Sequence, residues 1–168
     1  MIRFSYQLEE HGWASASITD DVSHLDLRPT LIFTDPLAEL ARACVALLDT
    51  LNSPYLTPLA CAWPDEPGEW RWLLEKQGTD LRIRILRFDD WPPSQPHEAG
   101  ELAFITICSL LKFAIQVQTQ LRDIRSALGA DEYRRRTYHP FPEAQLEKLT
   151  NSIRAEQATK KKSRESIH

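Results

Sequence analysis

The sequence predicts an α+β domain: an antiparallel sheet of about six strands, with two main helices on one face and a short C-terminal helix. Three observations predict it. Apolar residues alternate with polar ones along residues 2–27 and again along residues 69–85, the period of half-buried strands. Turn-forming clusters separate those stretches. Elsewhere, over 35–51 and 98–128, apolar residues recur at helical spacing.

Ile2, Phe4, Tyr6 and Leu8 fall on one face of a first strand, and Glu9-Glu10-His11-Gly12 turns the chain. Trp13 to Ile18 gives a second strand, with Ala14, Ala16 and Ile18 opposite Trp13, Ser15 and Ser17. Thr19-Asp20-Asp21 turns again into a third, Val22 to Leu27. Three short strands joined by tight turns form a meander. A helix then begins at Thr34 or Asp35, with Pro36 in the first turn, where its missing N–H leaves no bond unmade. Leu37, Leu40, Ala41, Cys44, Leu47, Leu48 and Leu51 make its apolar face, and Asn52-Ser53-Pro54 ends it. In Leu56 to Trp63, Pro58 points to an edge strand or a strand that begins there.

The central hairpin follows. Trp70, Trp72 and Leu74 alternate with Glu69, Arg71, Leu73 and Glu75. Lys76-Gln77-Gly78-Thr79 is a short polar loop whose glycine accepts positive φ. Leu81, Ile83 and Ile85 return on one face, with Arg82 and Arg84 on the other. The apolar phase then shifts to Leu86 and Phe88, which predicts a β-bulge near Ile85-Leu86. A proline-rich connection, Pro92 to Pro96, leads to a helix expected over Glu98–Leu128 and closed by Gly129. Its half from Leu102 to Ile115 is apolar nearly all round, the pattern of a helix buried on several sides. After a short helical continuation at 130–136 and an irregular Tyr138-His139-Pro140-Phe141-Pro142, a last helix is expected over Glu143–Ile153. The sequence thus predicts a single domain over residues 1–153 and a basic, disordered tail over 154–168.

At 168 residues, 42% hydrophobic and 26% charged, the chain is large enough to bury its own core. It has no apolar run of membrane-spanning length, and MIRFSYQLEE lacks the order of a signal peptide. A cytoplasmic protein that does not enter membranes is therefore expected. Cys44, Cys61 and Cys108 have no metal-type spacing and no disulfide framework. The total charge is −4, but residues 151–168 carry +3, which leaves −7 on residues 1–150. Such a body repels the phosphate backbone of nucleic acid and steers basic proteins toward it.

An antiparallel hairpin brings the residues before its first strand beside those after its second. Asp65, Glu66 and Glu69 should therefore meet Asp89 and Asp90 at one pole, with Trp63 and Trp91 nearby. This pole reads either as a binding surface for a basic partner or as a solvated loop pair whose tryptophans pack back onto the core. No other cluster points to chemistry. The histidines are scattered singly, and no glycine-rich phosphate loop or nucleophile elbow occurs. Arg134-Arg135-Arg136 suits a helix C-terminus without further function. No metal, cofactor or catalytic set is indicated.

The order of GWASASITD (Gly12–Asp20), DPLAELARACVALL (Asp35–Leu48), EPGEWRWLL (Glu66–Leu74) and YHPFPEAQLEKL (Tyr138–Leu149) resembles small bacterial α+β proteins of uncharacterised families. Several such families accompany polymorphic or contact-dependent toxins as immunity proteins. The resemblance covers most of residues 10–150 and implies a non-enzymatic protein that blocks a cognate toxin; it assigns no residue roles. The expectation is thus a toxin-binding protein that uses Trp63, Asp65, Glu66, Glu69, Asp89, Asp90 and Trp91. The alternatives are a homodimeric adaptor joined through its long helix and a small-molecule enzyme using the loop carboxylates.

Overall fold

A computed structural model of the chain describes residues 1–49, 58–90 and 95–167. β1 (Arg3–Leu8), β2 (Ala14–Thr19) and β3 (His24–Leu27) form one antiparallel meander. β4 (Leu59–Asp65), β5 (Gly68–Gln77), β6 (Asp80–Phe88) and β7 (Glu101–Ser109) form a second. The protein is α+β, but two sheets of three and four strands replace the single sheet of about six. Among the described residues three α-helices accompany them: α1 (Pro36–Asp49), α2 (Leu110–Thr137) and α3 (Glu143–Glu165).

The extra strand is β7, and it corrects the helix expected from Glu98. Leu102 to Ile107 is apolar but for Thr106, so periodicity alone cannot separate strand from helix there. Phe104, Ile105, Thr106 and Ile107 are β-branched or aromatic, which favours the strand. The helical signal starts only at Ser109, whose hydroxyl accepts a hydrogen bond from the Lys112 N–H and caps α2. Gly129 ends the first part of α2 as expected. Its φ of 74° is one that side-chain-bearing residues rarely adopt, and helical geometry resumes beyond it to Thr137.

The hairpin and its loop form as expected, with Gln77 opposite Asp80 and Gly78 at φ 64°. The register shift also falls between Ile85 and Leu86, but the additional residue is Ala103 on β7. The apolar phase moves because both faces of β6 are covered. Leu81, Ile83 and Ile85 join the main core, whereas Leu86 and Phe88 join Leu73 in a small cluster on the outer face.

The main core lies where the two sheets face each other. Phe4 stands edge-on to Trp72, with ring centroids 6.0 Å apart, and Tyr6 stands edge-on to Trp63 at 5.9 Å. Trp63 and Trp72 are 4.8 Å apart. Such offset and tilted ring pairs add to the burial of the rings themselves. α2 closes the side of this core along β1. The N–H groups of Phe4 and Tyr6 donate to the side-chain oxygens of Gln116 and Gln120, one helical turn apart. α1 is buried more widely than its expected stripe, with Ala38 and Ala43 covered as well; its expected end at Asn52-Ser53-Pro54 lies outside the described residues.

α3 continues to Glu165, past the expected end at Ile153. Leu146, Leu149, Ser152 and Ile153 are its buried residues. Beyond them Ala155, Glu156, Gln157, Ala158 and the lysines carry the helix on backbone propensity, with no apolar face to pack. The basic tail, expected to be disordered, is helical from Arg154 to Glu165.

Candidate functional site

The β4–β5 turn and the end of β6 make the acidic pole. Asp65 pairs with Gly68 across the turn, and Glu69 pairs with Phe88 on β6. A Cβ on Gly68 would lie 2.0 Å from the Phe88 carbonyl oxygen, so only glycine lets the turn approach β6 this closely. The turn carries Glu66 outward, and Asp89 and Asp90 follow β6 into solvent. Asp65, Glu66, Glu69, Asp89 and Asp90 therefore lie at the same end of the sheet.

Their environments differ sharply. Asp65 is on the inner face and half-buried. Its Oδ2 accepts hydrogen bonds from Trp70 Nε1 at 3.0 Å and from Arg87 Nη1 at 3.1 Å. The Arg87 guanidinium in turn lies 4.7 Å from the centroid of the Trp70 ring, a cation–π contact. One carboxylate thus fixes an indole and a guanidinium as a unit. Asp89 approaches Arg87 only at 3.9 Å, with its side chain 94% exposed.

Glu69 faces the other way. Its side chain is 1% exposed and accepts from Arg71 Nη2 at 2.7 Å. Arg71 also donates to the Gln95 carbonyl at 2.7 Å, contacts His97 Nδ1 at 3.1 Å, and stacks 4.1 Å from the Phe88 ring centroid. This cluster clamps residues 95–97 over the outer face. Glu69 belongs to the pole by position but cannot touch a partner there.

Trp63 is fully buried between the sheets, which removes it from the proposed contact surface. Trp91 lies outside the described residues. The indole that does reach the pole is Trp70, half-buried opposite Trp63 in the β4–β5 ladder. It shares a face with the buried Trp72, but the β5–β6 ladder ends one residue pair beyond it, at Glu69 and Phe88, so its ring sits at the rim.

A second constellation lies at the start of α1, where the sequence predicts only a helix start. Asp35 Oδ1 accepts from the Ala38 N–H at 3.1 Å, and Oδ2 accepts from the Tyr133 hydroxyl. Burial pushes the Asp35 carboxyl up from its ordinary pKa, against the pull of the Tyr133 and Ala38 hydrogen bonds and the His139 charge. Burial and the Asp35 charge push both Tyr133 and Tyr6 up. A cleft of about 420 Å³ opens beside Asp35, lined by Thr34, Glu39, Arg42, His139 and Glu143 among others. A buried carboxyl of shifted pKa beside a cleft is a frequent mark of catalysis. Here both oxygens already have protein donors, so the geometry makes Asp35 a joint between α1 and α2. The sequence carries a signal for it: Asp35 precedes Pro36 at a helix start, and Tyr133 is the one large ring among the charges of ADEYRRR.

Burial raises the thiols of Cys61 to about 12 and Cys108 to about 11, so neither supplies a thiolate nucleophile near neutral pH. Among the described residues no three His, Cys, Asp or Glu side chains gather as metal ligands, and no helix is long and apolar enough to cross a membrane. No family model, curated protein or solved structure matches the chain.

Proposed function

We propose that this chain is a non-enzymatic protein-binding protein, an immunity protein that neutralises a cognate bacterial toxin by covering a basic surface with its acidic pole. One observation carries the reading: Asp65 holds Trp70 and Arg87 in a fixed arrangement, with the exposed carboxylates of Glu66, Asp89 and Asp90 around them. Tryptophan and arginine are the side chains that most often dominate protein interfaces. Groups already held in place lose little freedom on binding. The surrounding acidic rim, on a body of −7 over residues 1–150, accelerates encounter with a basic partner and disfavours acidic ones.

The test is co-expression with the product of the adjacent reading frame, read as growth rescue and as a measured Kd. Reversing Glu66, Asp89 and Asp90 to Lys should weaken the complex about 100-fold or more, since like charges then face each other. Unchanged affinity removes the pole from the interface. Absence of both binding and rescue ends the inhibitor reading.

A further inference from the structure

The two sheets present four outer edges, and three carry features that obstruct further strand pairing. On β1, Gln116 and Gln120 occupy the outward N–H groups. β4 begins just after Pro58, contains Pro64, and has the Pro64 carbonyl bonded by the Thr30 N–H at 2.8 Å. β3 is four residues long and bears His24 and Asp26.

β7 is different. It has nine residues, carries no charge from Leu102 through Ser109, and pairs only with β6 among the described residues. The bulge at Ala103 disturbs its first part, but Phe104 to Ser109 lie in regular register. On its outer face Leu102, Ile105 and Ile107 are 51%, 43% and 60% exposed. The β2–β3 turn approaches from the inner face, where Asp20 and Thr106 line the same groove. A groove of about 620 Å³ runs between that turn and β7.

We propose that β7 pairs antiparallel with β7 of a second copy, about a two-fold axis at Thr106, joining the two four-stranded sheets into one. This does not depend on the pole's function. The strand is complementary to itself in that register. Ile105 of each copy lies opposite Ile107 of the other, so two exposed side chains cover two exposed side chains. Both belong to the outer face, and directly opposed residues in a ladder are in side-chain contact. Thr106 faces its own mate. Glu101 comes opposite position 111 of the second copy, beside the exposed Lys112 in the first turn of α2. A carboxylate there meets both a cation and a helix N-terminus. The uncharged stretch from Leu102 to Ser109 puts no like charges opposite each other within the ladder itself, although each chain carries −4.

Sedimentation equilibrium of the full chain over a wide concentration range tests this. A reversible dimer is expected. Ile105→Lys should raise its dissociation constant about 100-fold, because each substitution enters the interface twice. Ile107→Glu should do the same, and an equimolar mixture of the two variants should regain the dimer, since the new opposite charges face each other across the axis. Glu101→Lys should weaken association and Lys112→Glu in the same chain should restore it. Circular dichroism checks that each variant folds, as exposed positions allow. A monomer at every concentration overturns the proposal. So does a dimer insensitive to Ile105→Lys, or a mixture that stays monomeric.

Discussion

Glu69 lies against a guanidinium, and Asp35 lies against a phenol. Both carboxylates are buried, Glu69 on the outer face of the second sheet and Asp35 at the start of α1. Arg71 gives Glu69 a full counter-charge and bonds residues 95–97 as well. Tyr133 and the Ala38 N–H give Asp35 neutral donors only. A carboxylate with a buried cation is held by electrostatics that collapse if the cation leaves. One with neutral donors remains free to change its protonation state with pH.

The largest effect should come from Arg71→Ala. It leaves Glu69 charged, buried and alone, and removes the clamp on residues 95–97. Loss of one partner of a buried pair costs about 3–5 kcal/mol, read from denaturant or thermal melts. Replacing both groups with apolar residues, Glu69→Leu with Arg71→Met, should recover most of that loss. If Arg71→Ala costs less than about 1 kcal/mol, water reaches Glu69 and the contrast with Asp35 fails.

That pair also shows how far the sequence reaches. Alternation placed Glu69 and Arg71 on the polar face of β5 correctly. It could not show that residues 95–97 fold over that face, because this burial comes from a connection with no period of its own. The strands β1, β5 and β6, the helix α1 and the Gly78 turn were legible because each has a clean period or a positional residue. The split into two sheets was not, since strand pairing between distant segments leaves no local mark. β7 was hidden by its nearly continuous apolar run. At the pole, antiparallel geometry puts the carboxylates at one end of the hairpin, but only tertiary packing decides that Trp63 goes inward and Trp70 reaches the rim.

Next in size is Tyr133→Phe. It removes the donor to Asp35 Oδ2 and leaves a buried acceptor unsatisfied, at a cost of about 1–3 kcal/mol. Thermal melts at neutral pH measure it. The loss should be smaller than for Arg71→Ala, because a hydroxyl is removed there and not a counter-charge. Equal losses would erase the distinction between the two sites.

A pH series separates the two carboxylates further. The folded-state pKa of Asp35 is raised, chiefly by burial. Its contribution to stability is therefore fully present below the unfolded value of about 3.9, and is lost as pH rises through the higher folded value. Asn caps a helix as well as Asp does, and it does not ionise. The melting temperature of Asp35→Asn relative to the native chain should therefore climb as pH rises from about 4 toward 7. A difference constant across that range would mean that Asp35 ionises in the fold as easily as in the unfolded chain.

The smallest effect on stability belongs to the exposed carboxylates of the pole. Glu66, Asp89 and Asp90 point into solvent, and exposed charges away from a packed contact change stability by no more than about 0.5 kcal/mol each. Their reversal to Lys should leave the melt nearly unchanged, or raise it slightly at low salt by relieving repulsion near Asp65. At about 1 M salt, where the screening length falls to roughly 3 Å, any difference should vanish. A large loss in the melt would instead make these carboxylates part of the fold, as Glu69 is. A silent melt combined with lost toxin binding would assign them to the partner, because the fold itself makes no use of their charge.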